Sequence, residues 1–178
     1  MPNNTDNRVI LSHDDTKMID MIYNITNADD TPLCQTLIPM PKSLEGTEAF
    51  DENGMSGWYV WRVENWGTKW DIYESNCTRI DANTLAMNFY TAWSPPFPVY
   101  DKLTEMGFNV EARYLDEGWM YIGIYDSNGE GVHFDTVEDV VKKCPELDYE
   151  FGISEDMEWM RDSGDPHYGD PESREIAQ

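Results

Sequence analysis

Apolar residues fall in short runs between polar turns, and their spacing switches between the strand and helix periods. Arg8 to Leu11 predicts a short strand. Asp14 or Asp15 then offers a carboxylate to cap a helix whose stripe is Met18, Ile19, Met21, Ile22 and Ile25. Polar residues 27–31 break it. Leu33 to Ile38 predicts a second strand, closed by Pro39-Met40-Pro41, because proline pushes the preceding residue into extended backbone. Residues 42–57 predict a loop with Gly46, Gly54 and Gly57. Ser56 is placed to cap a helix running to about Asn65, and Gly67 stops it. Asp71 to Tyr73 and Thr78 to Ile80 predict short strands.

The second half is more regular. Thr84 to Trp93 is rich in strand formers. Ser94-Pro95-Pro96 predicts a helix start, with serine as cap, and Gly107 ends that helix. Phe108 to Leu115 and Trp119 to Tyr125 predict strands joined by a turn at 116–118. Ser127-Asn128-Gly129 predicts a hairpin turn, since Asn-Gly favours positive φ. Gly131 to Phe134 is one more short strand. Asp135 with Glu138 resembles a capping box for a helix to about Lys143, ended by Pro145, and Leu147 to Phe151 predicts a last strand.

From residue 84 the order is strand, helix, strand, strand, helix, strand. The expected fold class is therefore α+β, a ferredoxin-like split βαβ with an antiparallel sheet and helices on one face. Residues 1–83 follow a similar plan less clearly, which leaves open two related halves packed together, although no sequence repeat supports duplication. The expected organisation is an N-terminal α+β half (1–83), a ferredoxin-like half (84–153) and an acidic, partly disordered tail (154–178). Residues 135–178 hold 14 acidic and four basic residues, and prolines and acids dominate after Gly164.

Charge changes the picture of partners. The chain carries 35 acidic and 12 basic residues, a net charge of −23. Such a surface repels phosphates and anionic lipid, so direct nucleic-acid or membrane binding is not expected. No run approaches the roughly 18 apolar residues of a membrane helix. Met1 to Asp6 lacks the basic start and apolar run of a signal peptide, which predicts a cytoplasmic protein. Cys34, Cys77 and Cys144 are far apart, as suits reduced thiols rather than a disulfide framework or zinc site. Seven Trp, ten Tyr and six Phe supply ample core material.

Several segments carry a family resemblance. Leu37-Ile38-Pro39-Met40-Pro41-Lys42-Ser43-Leu44 follows the first strand and helix. Then come Trp58-Tyr59-Val60-Trp61-Arg62 and Glu64-Asn65-Trp66-Gly67-Thr68-Lys69-Trp70-Asp71, and later Phe89-Tyr90-Thr91-Ala92-Trp93-Ser94-Pro95-Pro96. Over about residues 1–150 the chain resembles the YubB ferredoxin-like family of plasmid- and phage-borne proteins. The resemblance implies a ferredoxin-like fold and a mobile-element origin. It brings no catalytic residues and no iron–sulfur cluster, which three dispersed cysteines would not bind in the usual four-thiolate way.

The candidate binding residues are Trp58, Trp61, Arg62, Asn65, Trp66, Lys69, Trp70, Trp93 and Trp159. Two readings compete for the segment Asn65 to Asp71. In one, Arg62 and Lys69 sit among stacking aromatics as a recognition surface. In the other, Trp66 and Trp70 fill the core, Gly67 turns the chain, and Lys69 pairs with Asp71 or Glu64; aromatic burial favours this one. Trp159 among the acids of the tail suits an anchor for docking on a basic groove.

Catalytic chemistry is weakly signalled. Ser94 has no nucleophile-elbow glycines. His13, His133 and His167 lack metal-site spacing, and Asp126 to Glu130 is explained by a hairpin turn without a calcium loop. No catalytic residue, metal or cofactor is expected. The leading expectation is a non-enzymatic accessory protein of a phage or plasmid that binds a host or viral protein with a basic surface. The alternatives are a DNA mimic that inhibits a host nucleic-acid-binding protein, and an enzyme with an aromatic-lined small-molecule cleft.

Overall fold

The computed structural model describes residues 3–28, 32–49 and 57–163. Two compact units divide the chain, Met1–Asp135 and Thr136–Gln178. The Ser56 cap and the chain after Ser163 lie outside the described residues.

The first unit is α+β. Its elements are β1 (Asn4–Ser12), α1 (Thr16–Thr26), α2 (Leu33–Leu37), a 3-10 turn (Lys42–Leu44), α3 (Trp58–Trp66), β2 (Tyr73–Arg79), β3 (Thr84–Ala92), α4 (Phe97–Glu105), β4 (Asn109–Asp116), β5 (Ile122–Asp126) and β6 (Val132–Phe134). One antiparallel sheet runs in the order β2-β3-β1-β4-β5-β6. The first four strands form the interleaved split βαβ: β1 and β2 flank β3, while β3 and β4 flank β1. The ferredoxin-like arrangement therefore starts at β1, not at residue 84, and β5–β6 is an added hairpin. Strands from both sides of residue 83 lie in this one sheet.

Burial alternates strictly along β1, with Thr5, Asn7, Val9 and Leu11 facing inward. Leu85, Met87, Phe89, Val110 and Ala112 face the same way. Ile19 and Ile22 of α1 and Val99, Tyr100 and Leu103 of α4 close the core against that face. At its centre the Tyr100 hydroxyl donates to Asn7 Oδ1 at 2.9 Å, and Asn7 Nδ2 donates to Thr91 Oγ1 at 2.9 Å. A polar residue survives there because its donors and acceptor are used.

Four expectations are corrected. Residues 33–37 form a helix instead of a strand, because both oxygens of Asp71 accept from its first turn: Cys34 N and Gln35 N each at 2.8 Å. Ser94 does not cap α4; its hydroxyl donates to Gly67 O, and Pro96 stands at the helix boundary. In the second unit Thr136 bounds α5 (Val137–Lys143) with no side-chain cap, so no capping box forms. Pro145, expected only as a stop, also opens α6 (Pro145–Phe151), where a strand was predicted. Proline suits the first helical turn, since the missing N–H has no partner to lose there. Glu146 and Asp148 add favourable charge near the helix start. The unit ends in α7 (Ile153–Ser163), and Val137, Val140, Leu147 and Ile153 are buried.

Asp15 caps α1 by accepting from Lys17 N at 2.9 Å. The 127–129 turn is a hairpin turn in which Asp126 accepts from Asn128 N and Gly129 takes φ 85°. Cys34, Cys77 and Cys144 are all buried.

The Tyr114 phenol on β4 is 2% exposed and hydrogen-bonds His133 Nδ1 at 3.0 Å. Burial pushes it up to about 12. The neutral phenol is therefore favoured in the folded state. Its stabilisation is complete below about pH 10 and is lost as pH rises through 12. Between pH 9 and 12 the unfolding free energy of the parent should fall by about 2 kcal/mol more than that of Tyr114→Phe. Equal slopes in denaturant titrations across that range would contradict this assignment.

Candidate functional site at one end of the sheet

Helix α3 begins where the chain is pressed against residues 48–49. Gly57 takes φ 127°, and a Cβ there would lie 2.5 Å from Ala49 O, so only glycine fits. The helix ends at Gly67 in the left-handed conformation, with its N–H on Val63 O. Between them, positions 58, 62 and 66 share one face and Tyr59 looks elsewhere.

The segment after α3 is stapled to the end of β3. Ala92 N donates to Thr68 Oγ1 at 3.0 Å, and that hydroxyl donates to Ala92 O at 3.2 Å. These bonds bring Lys69 and Trp70 beside Trp93. The Lys69 ammonium lies 4.7 Å from the Trp70 ring centre, 5.1 Å from that of Trp93 and 5.9 Å from that of Tyr59. Tyr59 meets Trp93 edge-on at 6.0 Å. Lys69 does not pair with Asp71 or Glu64; among the described residues it forms no ion pair. Three ring faces take the place of a carboxylate, each such contact contributing about 0.5–1 kcal/mol near the surface.

Trp93 is held under strain. Its φ is 69°, a region that costs a side-chain-bearing residue roughly 1–2 kcal/mol. Both of its backbone groups are fixed: N donates to Asn3 O at 2.9 Å and O accepts from Tyr121 OH at 2.6 Å. The indole is 40% exposed. A second tryptophan, Trp119, has φ 58° in the turn that leads to Tyr121, beside the exposed Met120. Tyr121 also shares a 2.6 Å hydrogen bond with Thr5 Oγ1, and burial raises its phenol. Asp116 closes the same turn through Gly118 N and Met120 N, while burial pushes its carboxyl up.

The other expected site residues fall elsewhere. Trp66 is 1% exposed and its indole N–H donates to Ile38 O at 2.8 Å, so it is core. Trp61 packs edge-on against it at 5.8 Å, and Asn65 Nδ2 caps Trp61 O. Arg62 lies over the Trp58 and Trp66 rings. Trp159 is 66% exposed on α7, in the second unit. Lys69, Trp70 and Trp93 thus come together, joined by Tyr59 and Tyr121, which sequence reasoning passed over. Tyr59 sits next to Trp58 off the helix stripe, and left-handed backbone at a tryptophan has no sequence signal.

Among the described residues no group of three His, Cys, Asp or Glu side chains comes together as a metal site. Nor is any helix among them long and apolar enough to cross a membrane.

Comparison with known protein families gives the same fold class. A family model described as the ferredoxin-like domain in Api92-like protein matches residues 69–157. No curated protein matches the chain. A solved structure, protein Api92 from Yersinia pseudotuberculosis, aligns at 16% identity with a TM-score of 0.47. The alignment covers 60% of this chain and 40% of that one, so the chain spans well under half of its length. With half of its sequence matched by the family model, the chain belongs to the family of ferredoxin-like domains of Api92-like proteins.

Proposed function

We propose that this chain is a non-enzymatic accessory protein of a phage or plasmid that binds a host or viral protein with a basic surface, using the Trp93 end of the sheet as its anchor. One observation carries the reading: Trp93 is kept at φ 69° with its indole exposed. Strain of this kind persists where the surrounding structure over-determines it, and it clusters at functional positions. Exposed Trp and Met are the residue types that anchor protein interfaces. The net charge of −23 steers a basic partner to that anchor. The resemblance to plasmid- and phage-borne proteins supports the mobile-element origin.

The test is a pull-down from host lysate at about 50 mM salt and again at about 500 mM, where surface charges are screened. The parent chain should hold a stoichiometric partner at low salt and release it at high salt. Trp93→Gly should lose the partner while unfolding within about 1 kcal/mol of the parent, because glycine relieves the left-handed backbone as the indole contacts disappear. Absence of a partner at low salt, or undiminished capture by Trp93→Gly, overturns the reading. Displacement of the partner by added duplex DNA would identify the captured surface as a DNA groove, as a mimic requires.

A further inference from the structure

Arg62 stands in a different setting from Lys69. Its guanidinium carbon lies 5.1 Å from the Trp58 ring centre and 4.8 Å from that of Trp66. Its Nε–H is buried and finds no hydrogen-bond acceptor among the described residues. In a chain with 35 acidic residues, Arg62 forms no ion pair among the described residues. Burial weakens its hold on the proton, and Asp71 acts through space to restore it. Asp71 itself is committed elsewhere, to the N–H groups of Cys34, Gln35 and Ile72. With indoles against the guanidinium, the donors left to an incoming group lie in its own plane, the geometry that a carboxylate matches with two parallel hydrogen bonds.

Arg62 lines a cleft of about 310 Å³. Met40, Leu44 and Trp58 give it apolar walls, and Glu45 and Thr47 complete its rim. That volume lies at the small end of ligand sites, and apolar walls with a few polar groups are their usual composition. Arg62 brings the positive charge to this lining, whereas Glu45 disfavours a second negative charge on anything that enters.

We propose that this cleft binds a small monocarboxylate with an apolar or aromatic body, the carboxylate on Arg62 and the body against Trp58, Met40 and Leu44. The site uses none of the residues of the Trp93 anchor, so it stands or falls independently of partner binding.

The probe is 4-phenylbutyrate, titrated into the full chain at about 50 mM salt. Tryptophan fluorescence and amide NMR shifts report binding. A ligand of this size in an open cleft should saturate with Kd between about 0.1 and 5 mM. The neutral 4-phenylbutyramide should bind about 10-fold more weakly, as should 4-phenylbutyrate to Arg62→Lys, which keeps the charge and the aliphatic stem but lacks the planar fork. Phenyl phosphate, a dianion, should bind more weakly than the monocarboxylate, and Glu45→Gln should narrow that gap several-fold. No saturation by about 10 mM, equal binding of the amide, or full affinity in a folded Arg62→Lys would overturn the proposal. If Arg62→Lys does not fold, Glu45→Gln decides, and an unchanged gap between the two anions refutes the site.

Discussion

Trp66→Ala is expected to lower the unfolding free energy by about 4 kcal/mol, which in a chain of this size moves the thermal midpoint by roughly 10 °C. Trp66 is 1% exposed and belongs to the core built on the sheet. Alanine leaves a cavity where an indole stood, and the core collapses around such a hole only in part. Two losses add to the cavity. Ile38 O loses the indole N–H that satisfies it at 2.8 Å, and Trp61 loses the ring it meets at 5.8 Å. Trp66→Phe keeps most of the packing but not the hydrogen bond, so it should cost about half as much. Denaturant titration of both variants checks the pair. A loss near 1 kcal/mol for the alanine variant would mean that the indole is far less enclosed than described.

Asp71→Ala is expected to cost about 3 kcal/mol, although the side chain is not in the apolar core. One carboxylate accepts from Cys34 N at 2.8 Å, Gln35 N at 2.8 Å and Ile72 N at 2.9 Å. It ties α2 to the chain entering β2. Removing it strands the amide of Cys34, a residue with no exposed surface, and a buried donor without an acceptor carries its full desolvation cost. Asp71→Asn retains one acceptor oxygen and should lose only about half as much. Hydrogen exchange gives the sharper readout. The amides of residues 34–38 should lose protection in Asp71→Ala while those of β1 and β3 stay slow, because α2 opens as a local unit. Unchanged protection at 34–38 would show that α2 stands without this carboxylate.

Asp71 also marks how far the fold was legible. Leu147, Tyr149 and Phe151 alternate like a strand, whereas Leu33, Cys34, Leu37 and Ile38 fall at the spacing of a helical turn, a signal outweighed in the strand expectation by the proline that follows. Helix α6 forms against its own alternation because of the proline at its start, and α2 has its first turn held by a carboxylate more than 30 residues away. The strands from Thr84 onward and the turn at 127–129 were readable, since alternation and Asn-Gly act locally. The ferredoxin-like class could be read from element order, but its starting strand could not, because pairing of β1 between β3 and β4 leaves no mark in either segment alone.

The same limit applies to the site. Composition singles out tryptophans as a set, yet the fold divides them. Trp66 goes to the core, Trp58 to the wall of a cleft, and Trp93 outward on strained backbone. Lys69 was expected beside an acid, and it lies instead on rings that Thr68 and Ala92 bring to it. Which cation keeps a carboxylate and which takes an indole is a matter of which chain segments are stapled together.

The central place of β1 has a consequence for biosynthesis. It leaves the ribosome well before its neighbours in the sheet, which begin at Thr84 and Asn109. For much of translation both of its edges are unpaired, with alternating apolar residues ready to pair with any passing strand. Loop-closure entropy must be met over some 80 residues before the first of these ladders can form. The abundant carboxylates, Asp6 within β1 among them, then act as protection for the nascent chain, keeping copies apart until Asp116 has emerged and the strand is enclosed on both sides.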